Sequence, residues 1–241
     1  MSNKLKKKTA MDRETEMQGA RMLGKHVSEE KGRILLAVTM LACATPVILG
    51  IRLWDQIPQV VQTGLIGANG KDDSLPRWAV AFLLPGLMCL LNFLAHYQLR
   101  VNQKRMTIPP THVRFVGRWG FPIISVLFCS GMIFQSTGGQ ALPLVFVTPC
   151  VLGLALMMLG AHMYDCPEDS RIALRFSFME HNAPLRSEVH RFAGWVWMAV
   201  GLVAIICVMV NPGSSVVASA IILAALAAPW LYGRSRSAKL G

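Results

Sequence analysis

Apolar positions in this chain come in long unbroken stretches rather than in the stripes or alternations of a soluble fold. From Trp119 to Tyr164, 46 residues pass without one Asp, Glu, Lys or Arg, and from Phe192 to Gly233 another 42 do so. A bilayer core needs about 20 apolar helical residues per crossing, so each run holds two crossings and a turn. The turns are visible as Ser136-Thr137-Gly138-Gly139-Gln140 and Asn211-Pro212-Gly213-Ser214-Ser215, both rich in helix-breaking residues. Two single stretches come earlier. Ile34–Ile51 is uncharged over 18 residues; Trp78–Tyr97 is uncharged over 20 and has aromatics at both ends, where amphipathic rings favour a membrane interface. The pattern predicts six spans, at about 34–51, 78–97, 119–135, 141–164, 192–210 and 214–232. Strands of a barrel would be about ten residues long with period-two alternation; these segments are longer and apolar on every face. The predicted fold is all-α, a six-helix transmembrane bundle (34–233) with a basic segment before it (1–33) and a basic tail after it (234–241).

Composition agrees: 53% of the 241 residues are hydrophobic and 15% charged, with a mean hydropathy of +0.44, against roughly 25% charged for soluble domains. Charge then orients the bundle. The termini and alternate loops 98–118 and 165–191 hold 21 Lys and Arg, while the other loops hold three: Arg52, Lys71 and Arg77. This asymmetry predicts both termini in the cytoplasm. It also accounts for the net charge of +11 by contact with anionic lipid headgroups, and no direct nucleic-acid partner is expected.

Five of the six cysteines, Cys43, Cys89, Cys129, Cys150 and Cys207, fall inside different predicted spans and Cys166 in a cytoplasmic loop, so no disulfide framework is expected. Ala42-Cys43-Ala44 resembles a leader-cleavage site, yet the apolar stretch continues to Ile51, and a retained anchor is expected. Met11–Val27 reads either as a helix lying on the membrane surface or as a solvated tail. Proline interrupts four spans, at Pro46, Pro85, Pro122 and Pro149, which predicts kinks. Ala220, Ala224 and Ala228 form a small-xxx-small ladder that permits close helix approach, in this chain or against another.

Chemistry is sparse. Mid-span ionisable residues, the usual mark of a proton-coupled transporter, are missing. Asn92 and His96, four apart on one helix face, predict a local hydrogen-bonded pair. His162, Cys166, His181 and His190 offer nitrogen and sulfur ligands, but their spacing fits no zinc pattern, so no metal is expected. Neither H-E-x-x-H, G-x-S-x-G, S-x-x-K nor a phosphate loop occurs, so neither an enzyme nor a cofactor is expected.

Two loops carry distinctive sequence. The inner one reads Pro167 … Asp169 … Ala173-Leu174-Arg175 … His190-Arg191-Phe192-Ala193-Gly194. The outer one, the only sizeable outer loop, contains Leu53-Trp54-Asp55-Gln56-Ile57-Pro58. Together, and with Leu84-Pro85 in the second span, they resemble the SdpI-type immunity family of bacterial membrane proteins over about residues 33–233. The chain departs from that family's pattern at Ala173, Phe176, Arg186, Asp169 and Val60. The resemblance implies a cytoplasmic-membrane protein that protects its bacterium from a secreted toxic peptide and, in some members, relays the toxin's presence by holding a transcriptional regulator at the membrane. It marks Asp169, Arg175, His190, Arg191 and Gly194 as the inner motif. Arg175 has Asp165, Asp169 and Glu180 as candidate partners in a loop that folds back on the bundle, and His190 can cap or bond the same cluster. On this reading Trp54, Asp55, Ile57 and Pro58 are recognition candidates, with Trp54 and Ile57 as apolar anchors; Trp54 by itself reads equally as an interfacial anchor of the first helix. A small-solute or peptide transporter and a non-catalytic subunit of a membrane complex are the alternatives.

Overall fold

The computed structural model describes residues 28–66, 72–104, 111–138, 143–164, 166, 173–179 and 182–240. Among them are six helices long and apolar enough to cross a membrane: α1 Glu29–Arg52, α2 Ala79–Gln103, α3 Val113–Ser136, α4 Leu144–Met163, α5 Ala183–Val210 and α6 Pro212–Ala238. They match the six predicted spans to within three residues at the hairpin side and outrun several of them at the charged side. α1 starts five residues before its apolar run because the Ser28 side chain accepts the Lys31 N–H at 3.2 Å and Glu29 and Glu30 fill the first turn, where carboxylates suit the helix dipole. α5 starts nine residues early: Asn182 caps the Leu185 N–H at 3.0 Å and Pro184 sits in the first turn. Its 28 residues make a rod of about 42 Å, so His190 and Arg191 ride on a helix rather than in a loop. Met11–Val27 lies outside the described residues.

Consecutive helices run antiparallel, as their contacts show: Gly50 meets Ala81 and Asn92 meets Thr39 across α1–α2, while Trp197 meets Ala225 and Val189 meets Gly233 across α5–α6. The bundle therefore has two ends. The basic end gathers the starts of α1, α3 and α5 with the ends of α2, α4 and α6. The opposite, hairpin end carries an element beyond the all-α expectation. After a 3-10 turn at Trp54–Gln56, strands β1 Val60–Ile66 and β2 Asp72–Pro76 pair antiparallel, with Val60 opposite Pro76, Val61 opposite Leu75 and Gln62 opposite Ser74, then shift register before Ile66 and Asp72.

The most extensive helix contact joins α4 to α5, and glycine makes it. Gly153 faces Gly201 and Gly160 faces Gly194. A Cβ on Gly201 would stand 2.5 Å from the Gly153 carbonyl oxygen, and one on Gly160 2.8 Å from that of Gly194. Both pairs sit seven residues apart on their helices, two turns, so the contact repeats along one face and backbone meets backbone. The Ala220–Ala224–Ala228 ladder does not do this within the chain. Ala220 and Ala224 are exposed, and α6 instead turns Ala218, Ile222 and Ala225 inward.

Proline shapes the rest. Each intrahelical proline leaves the carbonyl four residues back without its N–H, and two of these carbonyls take side-chain donors. Ala42, behind Pro46, accepts the Thr45 hydroxyl at 2.8 Å. Ala225, behind a fifth intrahelical proline, Pro229, accepts Trp197 Nε1–H at 2.8 Å. Beside Pro85 the chain widens instead: Ala79–Leu83 is π-helical, and Leu84 N–H reaches the Ala79 carbonyl. Asn92 and His96 do not form the expected local pair. Their shared face is buried against α1, so both meet Thr39, Asn92 Nδ2 donating to Oγ1 at 3.0 Å and His96 Nε2 lying 3.3 Å from it. Outside, the bundle is apolar, with Leu90, Phe93, Phe128, Val203, Leu223 and Leu231 exposed, a surface that suits lipid rather than water.

Candidate functional site

The two ends hold the residues that the sequence singles out. At the basic end the chain between α4 and α5 folds back onto the bundle. Leu174 donates its backbone N–H to His190 Nε2 at 3.0 Å, so the buried His190 ring is neutral at that nitrogen and fastens the loop beside Arg175. Phe176 stacks on Phe178 at 5.4 Å, and Met179 is buried against Leu185 and Val189. Phe178 reaches α6 only because residue 233 is glycine, where a Cβ would stand 2.7 Å from its ring.

Arg191 lies on the neighbouring face. Its guanidinium contacts Glu30 Oε1 at 3.2 Å and lies 5.5 Å over the Tyr164 ring, while the Tyr164 hydroxyl donates to the same oxygen at 2.8 Å. This joins α1, α4 and α5. The Arg191 and Glu30 side chains are about 60% exposed, so the ion pair adds only about 0–1 kcal/mol. Gly194 allows α4 and α5 to close on each other, since a Cβ there would stand 2.9 Å from the Tyr164 backbone. Glu188 completes the face, accepting from the Tyr232 hydroxyl at 2.5 Å and from Arg236 at 2.8 Å.

The inner motif thus divides. His190, Arg191 and Gly194 are brought together by one helix and have separate structural roles. Arg175 is exposed, and the carboxylates expected to pair with it (Asp165, Asp169 and Glu180) lie outside the described residues, Asp169 being itself a motif candidate. The metal set is not assembled. His162 is exposed, His190 is buried with Nε2 engaged by Leu174, Cys166 is half-buried, and His181 lies outside the described residues. Among the described residues no three His, Cys, Asp or Glu side chains group to hold a metal. No disulfide joins any of the six cysteines, all of them among the described residues.

At the hairpin end the recognition candidates need correction. Ile57 is 2% exposed and belongs to the hydrophobic core, so it is no surface anchor. Trp54 is half-buried, its ring 5.3 Å from Phe82 and 4.4 Å beneath the Arg77 guanidinium. The reason is local: the 3-10 turn Trp54–Gln56 curls these two apolar side chains back over the ends of α1 and α2. Asp55, Pro58 and Val60 are left at the surface. Trp54 and Ile57 therefore seat the hairpin.

Sequence reasoning passed over the glycines at 153, 160, 201 and 233, the Thr39 junction and Trp197. The seven-residue glycine spacing in two adjacent spans was the signal for the first of these. No family model, curated protein or solved structure matches this chain.

Proposed function

We propose that this chain is a multi-pass protein of the bacterial cytoplasmic membrane, both termini inside, that protects the cell from a secreted toxic peptide in the manner of the SdpI-type proteins it resembles. The observation that carries this reading is the hairpin. It is a folded outgrowth at the end opposite the positive charge, seated by Ile57 and Trp54, and among the described residues neither β1 nor β2 pairs with a third strand. An unpaired strand edge is a template for an extended peptide, with main-chain hydrogen bonds supplying affinity. Asp55, Pro58 and Val60 would flank the incoming strand. The folded loop at the basic end, held by His190, would offer a cytoplasmic regulator its docking surface.

The test is survival of a toxin-sensitive bacterium expressing the chain, challenged with the secreted peptides encoded beside its gene. The intact chain protects. Replacing residues 60–76 with a Gly/Ser linker of equal length abolishes protection while membrane insertion persists. Undiminished protection by that variant would exclude the hairpin as the recognition surface.

One observation favours a second reading, that of a subunit in a larger membrane complex: Ala220 and Ala224 present a small-residue face outward on α6, a surface another helix could approach closely. A chain that never protects, yet co-purifies with a partner lost on Ala224→Leu substitution, would move the assignment there.

A further inference from the structure

A cleft of about 370 Å³ opens at the basic end between α1, α2 and α3. Its polar wall is strongly one-signed. Arg33, Arg100 and Arg118 line it against a single carboxylate, Glu29. Glu29 contacts Arg33 at 3.5 Å and Arg100 at 3.4 Å, long beside the about 2.7–2.9 Å of a tight charge-assisted bond. No carboxylate pairs with Arg118 among the described residues. Three guanidiniums, each with five N–H donors, therefore face one loosely held acceptor, and the cleft carries an excess of cationic donors. That donor set suits the oxygens of a phosphate group, which arginine binds through its planar fork.

The other wall decides where the phosphate comes from. Phe93 and Tyr97, one turn apart on α2, line the cleft and are 46% and 61% exposed on the apolar outer face of the bundle. The cleft is thus bounded on one side by arginine and on the other by a surface made for hydrocarbon. Gly32 leaves it open: a Cβ there would meet nothing within 4 Å. A free phosphate would use only the first wall, whereas a phospholipid uses both, with its headgroup among the arginines and an acyl chain along Phe93. Basic clefts between membrane helices are suited to anionic headgroups.

We propose that this cleft is a binding site for an anionic phospholipid of the adjoining leaflet, its phosphate held by Arg118, Arg100 and Arg33. The inference rests on the membrane-spanning reading and not on peptide recognition, so loss of lipid binding and loss of protection are separate results.

The experiment is native mass spectrometry of the purified full chain, titrated in detergent with phosphatidylglycerol or phosphatidylcholine. The chain retains phosphatidylglycerol about tenfold more tightly than phosphatidylcholine, and Arg118→Gln lowers that affinity by about tenfold, the scale of a charge-assisted contact. Arg234→Gln, which removes an equal charge elsewhere on the surface, leaves it unchanged. Gly32→Leu fills the cleft without altering charge and also weakens binding, which keeps the test decisive if the Arg118 variant does not fold. Millimolar inorganic phosphate does not displace the lipid. Equal loss in the Arg118 and Arg234 variants, unchanged binding by Gly32→Leu, or displacement by inorganic phosphate would each overturn the proposal.

Discussion

The two halves of the bundle are held together by different means. In α4–α5 the contact is backbone on backbone through Gly153, Gly160, Gly194 and Gly201, and a methyl group at any of the four would collide with main-chain atoms. In α1–α3, apart from the close approach of Gly50 to Ala81, the contacts run through side chains: Thr39 meets Asn92 and His96, Ser125 donates to the Cys43 carbonyl at 2.6 Å, and two π-helical stretches interrupt the helices. The glycine half has one way to pack. The polar half joins at discrete points, and the arginine-lined cleft opens at its basic end beside His96. The folded inner loop is fastened to α5 of the glycine pair by His190 and reaches α6 at Gly233.

This contrast is open to measurement, most forcefully at the glycines. Gly201→Ala places a Cβ against the Gly153 oxygen and costs about 3 kcal/mol or more, read as loss of monodisperse folded protein in detergent. Gly86→Ala, in α2 where a Cβ meets nothing within 4 Å, instead gains about 0.5–1 kcal/mol of helix propensity. Equal effects of the two would erase the distinction between the halves.

Next in size is the Trp197 bond to Ala225. Trp197→Phe leaves that buried carbonyl unsatisfied and lowers stability by about 1–2 kcal/mol. Because Pro229 is what frees the carbonyl, the same change made together with Pro229→Ala costs less, the restored N–H serving Ala225. A thermal-stability double-mutant cycle reads the coupling; strictly additive effects would mean the proline and the indole are unrelated.

The smallest effect falls at Thr39. Thr39→Val keeps the shape and removes the hydroxyl that Asn92 and His96 share. Interhelical hydrogen bonds of this kind in membranes average about 0.6 kcal/mol, and a drop of that order in thermal stability is expected. A loss as large as that of Gly201→Ala would show that the polar half is as tightly determined as the glycine half.

Much of this architecture was legible in the sequence, because the membrane requirement acts on whole stretches. Charge-free runs of 46 and 42 residues admit little besides paired spans, and the six helices lie where those runs and the two single stretches before them place them. What eluded reading depends on pairs of residues far apart in the chain. Nothing near Pro229 announces that Trp197, 32 residues earlier, will answer it, and nothing near Asn92 points to Thr39. The hairpin was hidden for another reason: Val60-Val61 is too short a β-branched run to stand out beside Gly64, Gly67 and Gly70. Ile57 misled because an apolar residue in an outer loop reads as a contact for a partner, whereas a 3-10 turn folds it inward. The inner motif was half legible. Its glycine and histidine have clear packing roles, while the loop chemistry expected of Arg175 rests on carboxylates outside the described residues.

Recognition of a secreted peptide requires the hairpin to face outward and the basic end to face the cytoplasm. Thiol labelling of intact cells, on a cysteine-free background with Ser74→Cys or Ser235→Cys, tests this directly, since both positions are exposed at opposite ends of the bundle. An impermeant maleimide labels the Ser74→Cys protein in intact cells, and labels the Ser235→Cys protein only after the membrane is permeabilised. Labelling of Ser235→Cys in intact cells, with Ser74→Cys protected, would invert the molecule and remove the basis for peptide recognition by the hairpin.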